Sequence, residues 1–213
     1  MRVIAIDGPA GSGKSTVARR LADRLGLRYL DTGAMYRAVA FDALRWNVDP
    51  EDVERVASLA RELQLDVDNG KVVVDGTDAT VEIRGPEVTR AVSIVAANVA
   101  VREEMRRRQR EWVSKHDGGV IEGRDIGTVV FPDADLKVFL TAAPETRARR
   151  RALEVTELDY ETVAADLARR DALDQGRDDS PLAEAPDAVT VDTTDRSVDD
   201  VVDELLKRLD DGH

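Results

Sequence analysis

Cysteine is absent from this chain of 213 residues, and histidine occurs only as His116 and His213. The lack of cysteine excludes a disulfide scaffold, a thiol nucleophile, a cysteine-ligated zinc site and an iron–sulfur cluster. Two histidines argue against a catalytic or metal triad that is built on histidine. A chain of this length buries roughly 70% of its unfolded surface, so it needs no covalent or metal staple.

Long apolar segments are also missing, and acidic residues outnumber basic ones. The apolar runs cover only a few residues, whereas a membrane span requires ~20. The chain begins with the strand-like run Val3-Ile4-Ala5-Ile6 and has no signal-peptide pattern. Its 43 acidic and 31 basic residues give a net charge of −12, so it gains little from counterion release at phosphates. We expect a cytoplasmic protein that binds neither nucleic acid nor a membrane.

Strand patterns and helix patterns alternate along the chain. Strands are predicted at residues 2–6, 71–78 (a short strand with a turn), 120–121, 136–140 and 188–191. Helices are predicted at residues 17–25, 35–44, about 50–63, 86–97, 99–115, 144–175 and after Ser197. The helix at 144–175 is expected to break near Leu158-Asp159. This alternation is typical of an α/β fold around a parallel sheet, and we expect one compact domain with insertions.

A glycine-rich motif joins the first predicted strand to the first predicted helix. It matches the phosphate-binding pattern G-x-x-x-x-G-K-[ST] and reads Gly8-Pro9-Ala10-Gly11-Ser12-Gly13-Lys14-Ser15. The glycines let backbone N–H groups turn towards a phosphate, and the start of the helix adds partial positive charge. Lys14 can reach the β- and γ-phosphates of a nucleotide, and the Ser15 hydroxyl can bind Mg²⁺. We predict a nucleotide-binding loop rather than a turn with a solvated lysine.

Other motifs, present or absent, narrow the class of reaction that the phosphate-binding loop could serve. A GTPase needs a guanine-reading N-K-x-D segment, and the chain has none. Many ATPases have a long apolar strand that ends in an acidic residue, but the nearest candidate, residues 120–125, is short and contains an arginine. A hydroxyl acceptor benefits from a carboxylate that takes its proton, whereas a phosphate monoester, with a second pKa of about 6, is already an oxyanion. The sequence favours a small-molecule kinase with a monophosphate acceptor.

Arginine supplies 26 of the 31 basic residues and occurs in clusters. The groups are Arg37; Arg102, Arg106, Arg107, Arg108 and Arg110; Arg124; and Arg147, Arg149, Arg150, Arg151, Arg169, Arg170 and Arg177. Arginine grips phosphate through two hydrogen bonds, and phosphoryl transfer between nucleotides needs such charge around the transition state. Arg106, Arg107 and Arg149 are instead predicted to lie on solvated faces, paired with nearby acids.

Three further blocks carry a resemblance to a known family. They are Leu30-Asp31-Thr32-Gly33-Ala34-Met35-Tyr36-Arg37; Glu122-Gly123-Arg124-Asp125-Ile126-Gly127-Thr128-Val129-Val130-Phe131-Pro132; and the segment from Arg169-Arg170-Asp171 to Arg177, followed by Ser180-Pro181-Leu182. With the loop, these blocks resemble the bacterial cytidylate kinases over essentially the whole chain. Those enzymes transfer the γ-phosphoryl group of ATP to CMP or dCMP in pyrimidine metabolism. The first two blocks are far more specific than the loop.

The resemblance implies a P-loop fold with a parallel sheet flanked by helices, a monophosphate-binding region with a small sheet, and a helical lid. Within a single domain of residues 1–213, the implied core covers about 1–63, 86–145 and 178–213. The inserted sheet covers about 64–85 and the lid about 146–177. Lid closure would exclude water from the reaction. Relatives are generally monomers, and the expected cofactor is Mg²⁺ bound with ATP.

The resemblance also implies roles for individual residues. ATP would be bound by Gly8, Pro9, Ala10, Gly11, Ser12, Gly13, Lys14, Ser15, Thr16 and Arg151, with the metal at Ser15. The acceptor phosphate would lie among Thr32, Arg37, Arg124 and Arg177. The ribose would meet Arg170 and Asp174, and the cytosine would be read by Ser93, Arg102 and Asp125. Catalysis would rest on Lys14, Arg124, Arg147 and Arg177.

Asp125 is the residue that distinguishes cytosine from uracil in this interpretation. Its carboxylate can accept a hydrogen bond from the N4 amino group of cytosine and would repel the carbonyl of uracil. The alternative is that Asp125 caps a helix or turn after a strand. Leu173 stands where some relatives have arginine, and the segment between Arg151 and Arg170 is shorter than in some of them. Thr32 replaces a serine but keeps the hydroxyl.

Two other functions remain open at this point. The first is a P-loop kinase for another small acceptor, such as UMP or shikimate. The second is a module that binds a nucleotide without transferring a phosphoryl group. The arginine clusters argue against the second function, because a passive module has little use for charge at an acceptor site.

Overall fold

The computed structural model describes residues 1–154 and 159–210. Its strands are β1 (Arg2–Asp7), β2 (Tyr29–Asp31), β3 (Leu65–Asp68), β4 (Lys71–Val74), β5 (Thr77–Asp78), β6 (Gly118–Gly123), β7 (Leu136–Thr141) and β8 (Val189–Asp192). Its helices are α1 (Lys14–Leu25), α2 (Thr32–Arg45), α3 (Val53–Glu62), α4 (Pro86–Val95), α5 (Val99–Lys115), α6 (Pro144–Glu154), α7 (Tyr160–Gln175) and α8 (Val198–Asp210). Within the described ranges, every helix is too short or too polar to cross a bilayer.

Five strands form a parallel sheet in the order β2-β6-β1-β7-β8, and β3-β4-β5 form a smaller antiparallel sheet. The predicted α/β class with a small second sheet is confirmed. The described chain divides into two compact units. The first contains Met1 and residues 28–118, and the second contains residues 2–27 and 119–213.

The second unit is built on buried parallel strands. Apart from Arg2, all residues of β1 are buried, and so is every residue of β6. Ile4 pairs with Leu136 between β1 and β7, and Val138 pairs with Val189 between β7 and β8. Strands that are covered on both faces read as continuous apolar runs, which is why the sequence predicts them well.

The ends of α1 and α8 follow from local sequence signals. Gly26 ends α1 in the left-handed conformation, with φ 65°, as predicted. At the start of α8, the backbone N–H of Asp200 donates to Ser197 Oγ at 3.2 Å, so the predicted cap is confirmed. Exposed ion pairs link the two helices, Arg20 with Asp199 and Arg24 with Asp203.

The predicted long helix at 144–175 is two helices. Asp159 caps α7 by accepting a hydrogen bond from the backbone N–H of Thr162 at 2.9 Å. The predicted break also includes Leu158, which lies outside the described residues. The whole segment 155–158 of the expected lid lies outside them. A small apolar cluster joins α6 and α7 to the phosphate loop and contains Ala10, Ala148, Val163 and Leu167.

In the first unit, two helix starts differ from the prediction. The predicted helix at 35–44 begins earlier, at Thr32, because the Asp31 side chain accepts a hydrogen bond from the Ala34 N–H at 3.0 Å. The three-residue strand β2 before it was not predicted, because it is too short to show a period. The helix predicted after Asp49-Pro50 begins a few residues later, at Val53, because the Asp52 side chain caps α3 by accepting from the N–H of Arg55 at 3.1 Å.

The small sheet of the first unit is a three-stranded meander. Leu65 pairs with Val74, and Val73 pairs with Asp78. Asn69-Gly70 and Asp75-Gly76 form the two turns with positive φ at every residue, as type I′ hairpin turns require. The strand and turn predicted at 71–78 are confirmed, while β3 completes the sheet.

Candidate active site

The phosphate loop of the second unit runs from β1 to α1. Gly8, Gly11 and Gly13 have positive φ values of 147°, 76° and 87°. A Cβ atom at Gly8 would lie 2.1 Å from the carbonyl oxygen of Leu140, so only glycine fits there. Gly13 is the N-cap of α1 and offers no capping side chain, which leaves the first N–H groups of the helix pointing into the loop. The predicted strand–loop–helix arrangement is confirmed.

Lys14 is buried beneath this loop. Its Nζ donates to the carbonyl oxygen of Pro9 at 2.8 Å. Burial, and then the positive charge of Arg124, lower the pKa of Lys14 to about 7, against the opposing effect of carboxylates that include Glu122 and Asp7. An anionic phosphate would reverse this shift, because it favours the ammonium form.

Ser15 Oγ donates to Glu122 Oε2 at 3.0 Å, at the carboxyl end of β6. Thr16 follows on the exposed side of α1. In the described chain no group of three or more acidic or histidine side chains is placed to hold a metal. Mg²⁺ with a nucleotide needs only one or two protein oxygens beside phosphates and water, so the Ser15–Glu122 pair fits a metal that arrives with ATP. Sequence reasoning assigned no role to Glu122, although its place at a strand end was a signal.

Asp174 on α7 forms ion pairs with two of the predicted arginines. Arg124 Nε donates to Asp174 Oδ2 at 2.8 Å, and Arg177 bonds the other oxygen. Burial alone would raise the pKa of Asp174, but Arg124 and Arg177 together hold it below its usual value. The structure therefore brings three predicted substrate residues into one buried ion cluster.

Arg170 adjoins this cluster as a buried cation. Burial, and then repulsion by Arg124, lower its pKa to about 10, so it stays charged at neutral pH. Among the described residues, no hydrogen-bond acceptor contacts its buried Nε. Arg151 on α6 is a further positive neighbour that lowers the pKa of Arg170. The positive charges of Arg170, Arg124 and Arg151 thus outnumber the two opposing carboxylates, those of Asp174 and Asp171, and an anion would be stabilised here.

Arg147 on α6 contacts the phosphate loop. Its guanidinium donates to the carbonyl oxygen of Ala10 at 3.1 Å and pairs with Asp171. Asp171 Oδ1 also accepts from the backbone N–H of Ala10 at 3.3 Å. The sequence predicts no role for Asp171, because its partners are remote along the chain.

A second support of the loop was not predicted at all. Thr193 Oγ1 lies 3.0 Å from the carbonyl oxygen of Ser12 and 3.1 Å from that of Thr141. Arg150 donates to Thr193 Oγ1 at 2.9 Å and to its carbonyl oxygen at 2.6 Å. The loop is therefore held both by α6 and by the segment after β8.

Asp125 is buried directly after β6 and precedes a single π-helical turn at Ile126–Val130. Its side chain makes no capping hydrogen bond to that turn. The alternative prediction, that Asp125 is a cap, is therefore wrong for its side chain.

The first unit holds the other four predicted substrate residues. Thr32 is buried at the start of α2, and Ser93 is buried on α4. Arg37 donates to Thr89 Oγ1 at 2.9 Å and to the Ile83 carbonyl oxygen at 3.2 Å.

Arg102 on α5 is fully buried in the same unit. It donates to the Ala96 carbonyl oxygen at 3.2 Å, and its guanidinium carbon lies 5.5 Å from the ring centre of Tyr36. A buried arginine whose plane is fixed in this way is suited to a planar partner.

The solvated pairing predicted for Arg107 is confirmed. Arg107 is exposed and pairs with Glu104 at 2.6 Å and with Glu111. Arg106 and Arg149 stay predictions. Arg108 has a structural role instead, because it donates to the carbonyl oxygens of Leu63 at 2.9 Å and Ala60 at 3.1 Å, at the end of α3.

A phosphate loop with a buried lysine, on a parallel sheet and beside an arginine–carboxylate cluster, defines a P-loop phosphotransferase. Residues 4–211 match the protein-family model described as Cytidylate kinase. The chain belongs to the cytidylate kinase family, whose members are nucleoside monophosphate phosphotransferases. The resemblance stated from the sequence is confirmed, and the passive nucleotide-binding module is set aside.

Individual members of the family are similar in sequence to almost the whole of this chain. The chain is 51% identical over 212 residues to the cytidylate kinase of Mycolicibacterium paratuberculosis, covering 95% of this chain and 92% of that protein. It is 48% identical over 215 residues to the cytidylate kinase of Desulfitobacterium hafniense, covering 98% and 92%. A solved structure of an uncharacterized protein from Eubacterium ventriosum matches with a TM-score of 0.56 and 15% identity over 99% of both chains, which supports the fold alone.

Proposed function

We propose that this enzyme transfers the γ-phosphoryl group of ATP to CMP or dCMP, giving ADP and CDP or dCDP. An oxygen of the acceptor phosphate forms the new bond to phosphorus as the bond to ADP breaks. The observation that carries the proposal is the excess positive charge around Asp174, in the same unit as the phosphate loop and the buried Lys14. Such charge suits a reaction between two phosphate groups.

On the ATP side, the loop at residues 8–16 would wrap the phosphates, with Lys14 as the cation nearest the transferred group. Arg147 and Arg151 on α6 would add charge there, and the bond from Arg147 to the Ala10 carbonyl oxygen supports this role. Ser15 would hold Mg²⁺, with the Glu122 carboxylate beside it. When bound, Mg²⁺ would neutralise charge on the phosphates.

On the acceptor side, the phosphate of CMP would be held by Thr32, Arg37, Arg124 and Arg177, and the ribose by Arg170 and Asp174. The monoester is already an oxyanion near neutral pH, so the reaction needs orienting arginines and no general base. The buried ion cluster supports this, because its arginines are already fixed by Asp174 and lose little freedom when an anion binds.

Cytosine would be read by Ser93, Arg102 and Asp125. The buried carboxylate of Asp125, which does not cap the turn after it, supports this role. A carboxylate accepts from the cytosine amino group and repels a uracil carbonyl. Loss of this contact would cost about 1–3 kcal/mol of discrimination.

The test is release of ADP from ATP·Mg²⁺ with CMP, dCMP, UMP, AMP, GMP or shikimate offered separately. We expect turnover with CMP and dCMP well above that with UMP. The Asp125→Ala variant should raise KM for CMP and narrow the preference for CMP over UMP, whereas Asp133→Ala, at an exposed position later in the sequence, should not. An unchanged ratio in Asp125→Ala would refute the base-reading role, and activity with shikimate but not CMP would refute the proposed acceptor.

We also propose that the enzyme acts as a monomer in the cytoplasm, in pyrimidine nucleotide metabolism. Sedimentation velocity across a hundredfold concentration range tests the monomer, since a dimer would sediment faster as concentration rises.

A further inference from the structure

Asp125 stands at a position where an aspartate usually caps a helix. It is the residue before the turn at Ile126–Val130, and its own carbonyl oxygen accepts from the Val129 N–H at 2.9 Å. The side chain of an N-cap aspartate normally binds the N–H groups that begin such a turn. Here the Asp125 side chain makes no such bond.

The N–H groups at the start of this turn are bound by another carboxylate, that of Asp7. Asp7 Oδ1 accepts from the Ile126 N–H at 2.9 Å, and Asp7 Oδ2 accepts from the Gly127 N–H at 2.7 Å. Asp7 is the buried last residue of β1 and directly precedes Gly8. A single side chain therefore connects the strand that leads into the phosphate loop with the backbone next to Asp125.

We propose that Asp7 is a positioning residue for acceptor selection: by binding the N–H groups of Ile126 and Gly127, it fixes the backbone that carries the Asp125 side chain. The proposal rests on the base-reading role of Asp125 proposed above. Both oxygens of Asp7 are used, one on each N–H group, so the turn is fixed in two places rather than pivoting about one bond. Charge-assisted bonds of this kind are among the stronger hydrogen bonds in proteins.

The surroundings of Asp7 agree with this role. Burial raises the pKa of Asp7 to about 6, and the bonds from Gly127 and Ile126 oppose that rise. The negative charge of Asp7 also raises the pKa of Lys14, which offers a different explanation of the residue: an electrostatic partner of the catalytic lysine alone. The two explanations differ in a measurable way, because an effect through Lys14 changes turnover with every acceptor equally.

The experiment compares kcat/KM for CMP and for UMP in Asp7→Asn, Asp125→Ala and the double variant. Asparagine has one acceptor oxygen, and its amide group faces the second N–H, so one bond of the pair is lost. We expect Asp7→Asn to narrow the CMP/UMP ratio about tenfold, the scale of one charge-assisted hydrogen bond. In the Asp125→Ala background, the same change should have no further effect on the ratio.

A control variant separates positioning from loss of a strand contact. Asp135 Oδ2 accepts from the Val3 N–H at 2.6 Å, at the other end of β1, so Asp135→Asn should leave the ratio unchanged. Thermal unfolding in each variant checks folding, and Asp7→Ser serves as a second variant with the same expected narrowing if Asp7→Asn unfolds below the assay temperature.

The outcomes distinguish the two proposals. If Asp125→Ala narrows the ratio and the Asp7 variants do not, or if they slow CMP and UMP equally, the positioning role of Asp7 is refuted while the base-reading role stands. If Asp125→Ala leaves the CMP/UMP ratio unchanged, the base-reading role of Asp125 is refuted, and so is the positioning role of Asp7 that rests on it. If Asp7→Asn narrows the ratio further in the Asp125→Ala background, Asp7 does not act through Asp125.

Discussion

Replacement of Asp174 by asparagine should destabilise the fold through unmatched buried charge. The Asp174 side chain is 6% exposed, and those of its partners Arg177 and Arg124 are 9% and 20% exposed. Removing one partner of a buried ion pair costs about 3–5 kcal/mol. Asparagine keeps one acceptor oxygen and Arg124 retains some solvent, so we expect the lower end, about 3 kcal/mol.

The expected shift in melting temperature follows from chain length. The entropy of unfolding is about 2.1 cal/mol/K per residue, or about 0.45 kcal/mol/K for 213 residues. A loss of about 3 kcal/mol then lowers Tm by about 7 °C. The control is Asp203→Asn, which breaks the pair with Arg24, where the side chains are 63% and 44% exposed. Such a pair contributes at most about 1 kcal/mol, or about 2 °C.

Thermal unfolding followed by circular dichroism measures both variants, with and without sodium phosphate. An anion that binds the arginines would replace the lost carboxylate, so phosphate should raise Tm more in Asp174→Asn than in the parent or in Asp203→Asn. A Tm loss in Asp174→Asn no larger than in the control would refute the claim that Asp174 neutralises buried charge.

The remaining predictions concern the phosphate loop. Because the pKa of Lys14 is lowered to about 7 and bound phosphates raise it, ATP should bind with proton uptake at pH 8 and lose affinity as pH rises above 7. Calorimetry in buffers of different ionisation enthalpy measures this uptake, and its persistence in Lys14→Met would exclude the lysine as its source. Thr193→Val should raise KM for ATP about fivefold, the scale of one hydrogen bond. Thr193→Ser keeps the hydroxyl and should keep the KM of the parent enzyme. Equal KM values in Thr193→Val and the parent would contradict a supporting role of the hydroxyl.

The features predicted correctly from the sequence depend on neighbours along the chain. The glycines of the phosphate loop are required by positive φ at their own positions. Gly26 and Ser197 mark helix ends through bonds that span a few residues. Such local signals can be interpreted from the sequence without knowledge of the fold.

The features that were missed depend on partners far apart in the sequence. Ser15 bonds Glu122, Ser12 contacts Thr193, and Ala10 meets Asp171. No periodicity or spacing reports these pairs, because each is created only when separate strands and helices pack together.

Asp125 illustrates a residue whose role cannot be determined from the sequence alone and depends on the tertiary structure. The sequence alone determined that an aspartate follows a strand and precedes a turn, a position equally suited to a cap and to a binding residue. Only the folded chain placed Asp7, 119 positions away from Ile126, against the N–H groups that begin the turn after Asp125. A carboxylate's role is set by which donors reach it, and across such a distance those donors are fixed by packing rather than by local sequence.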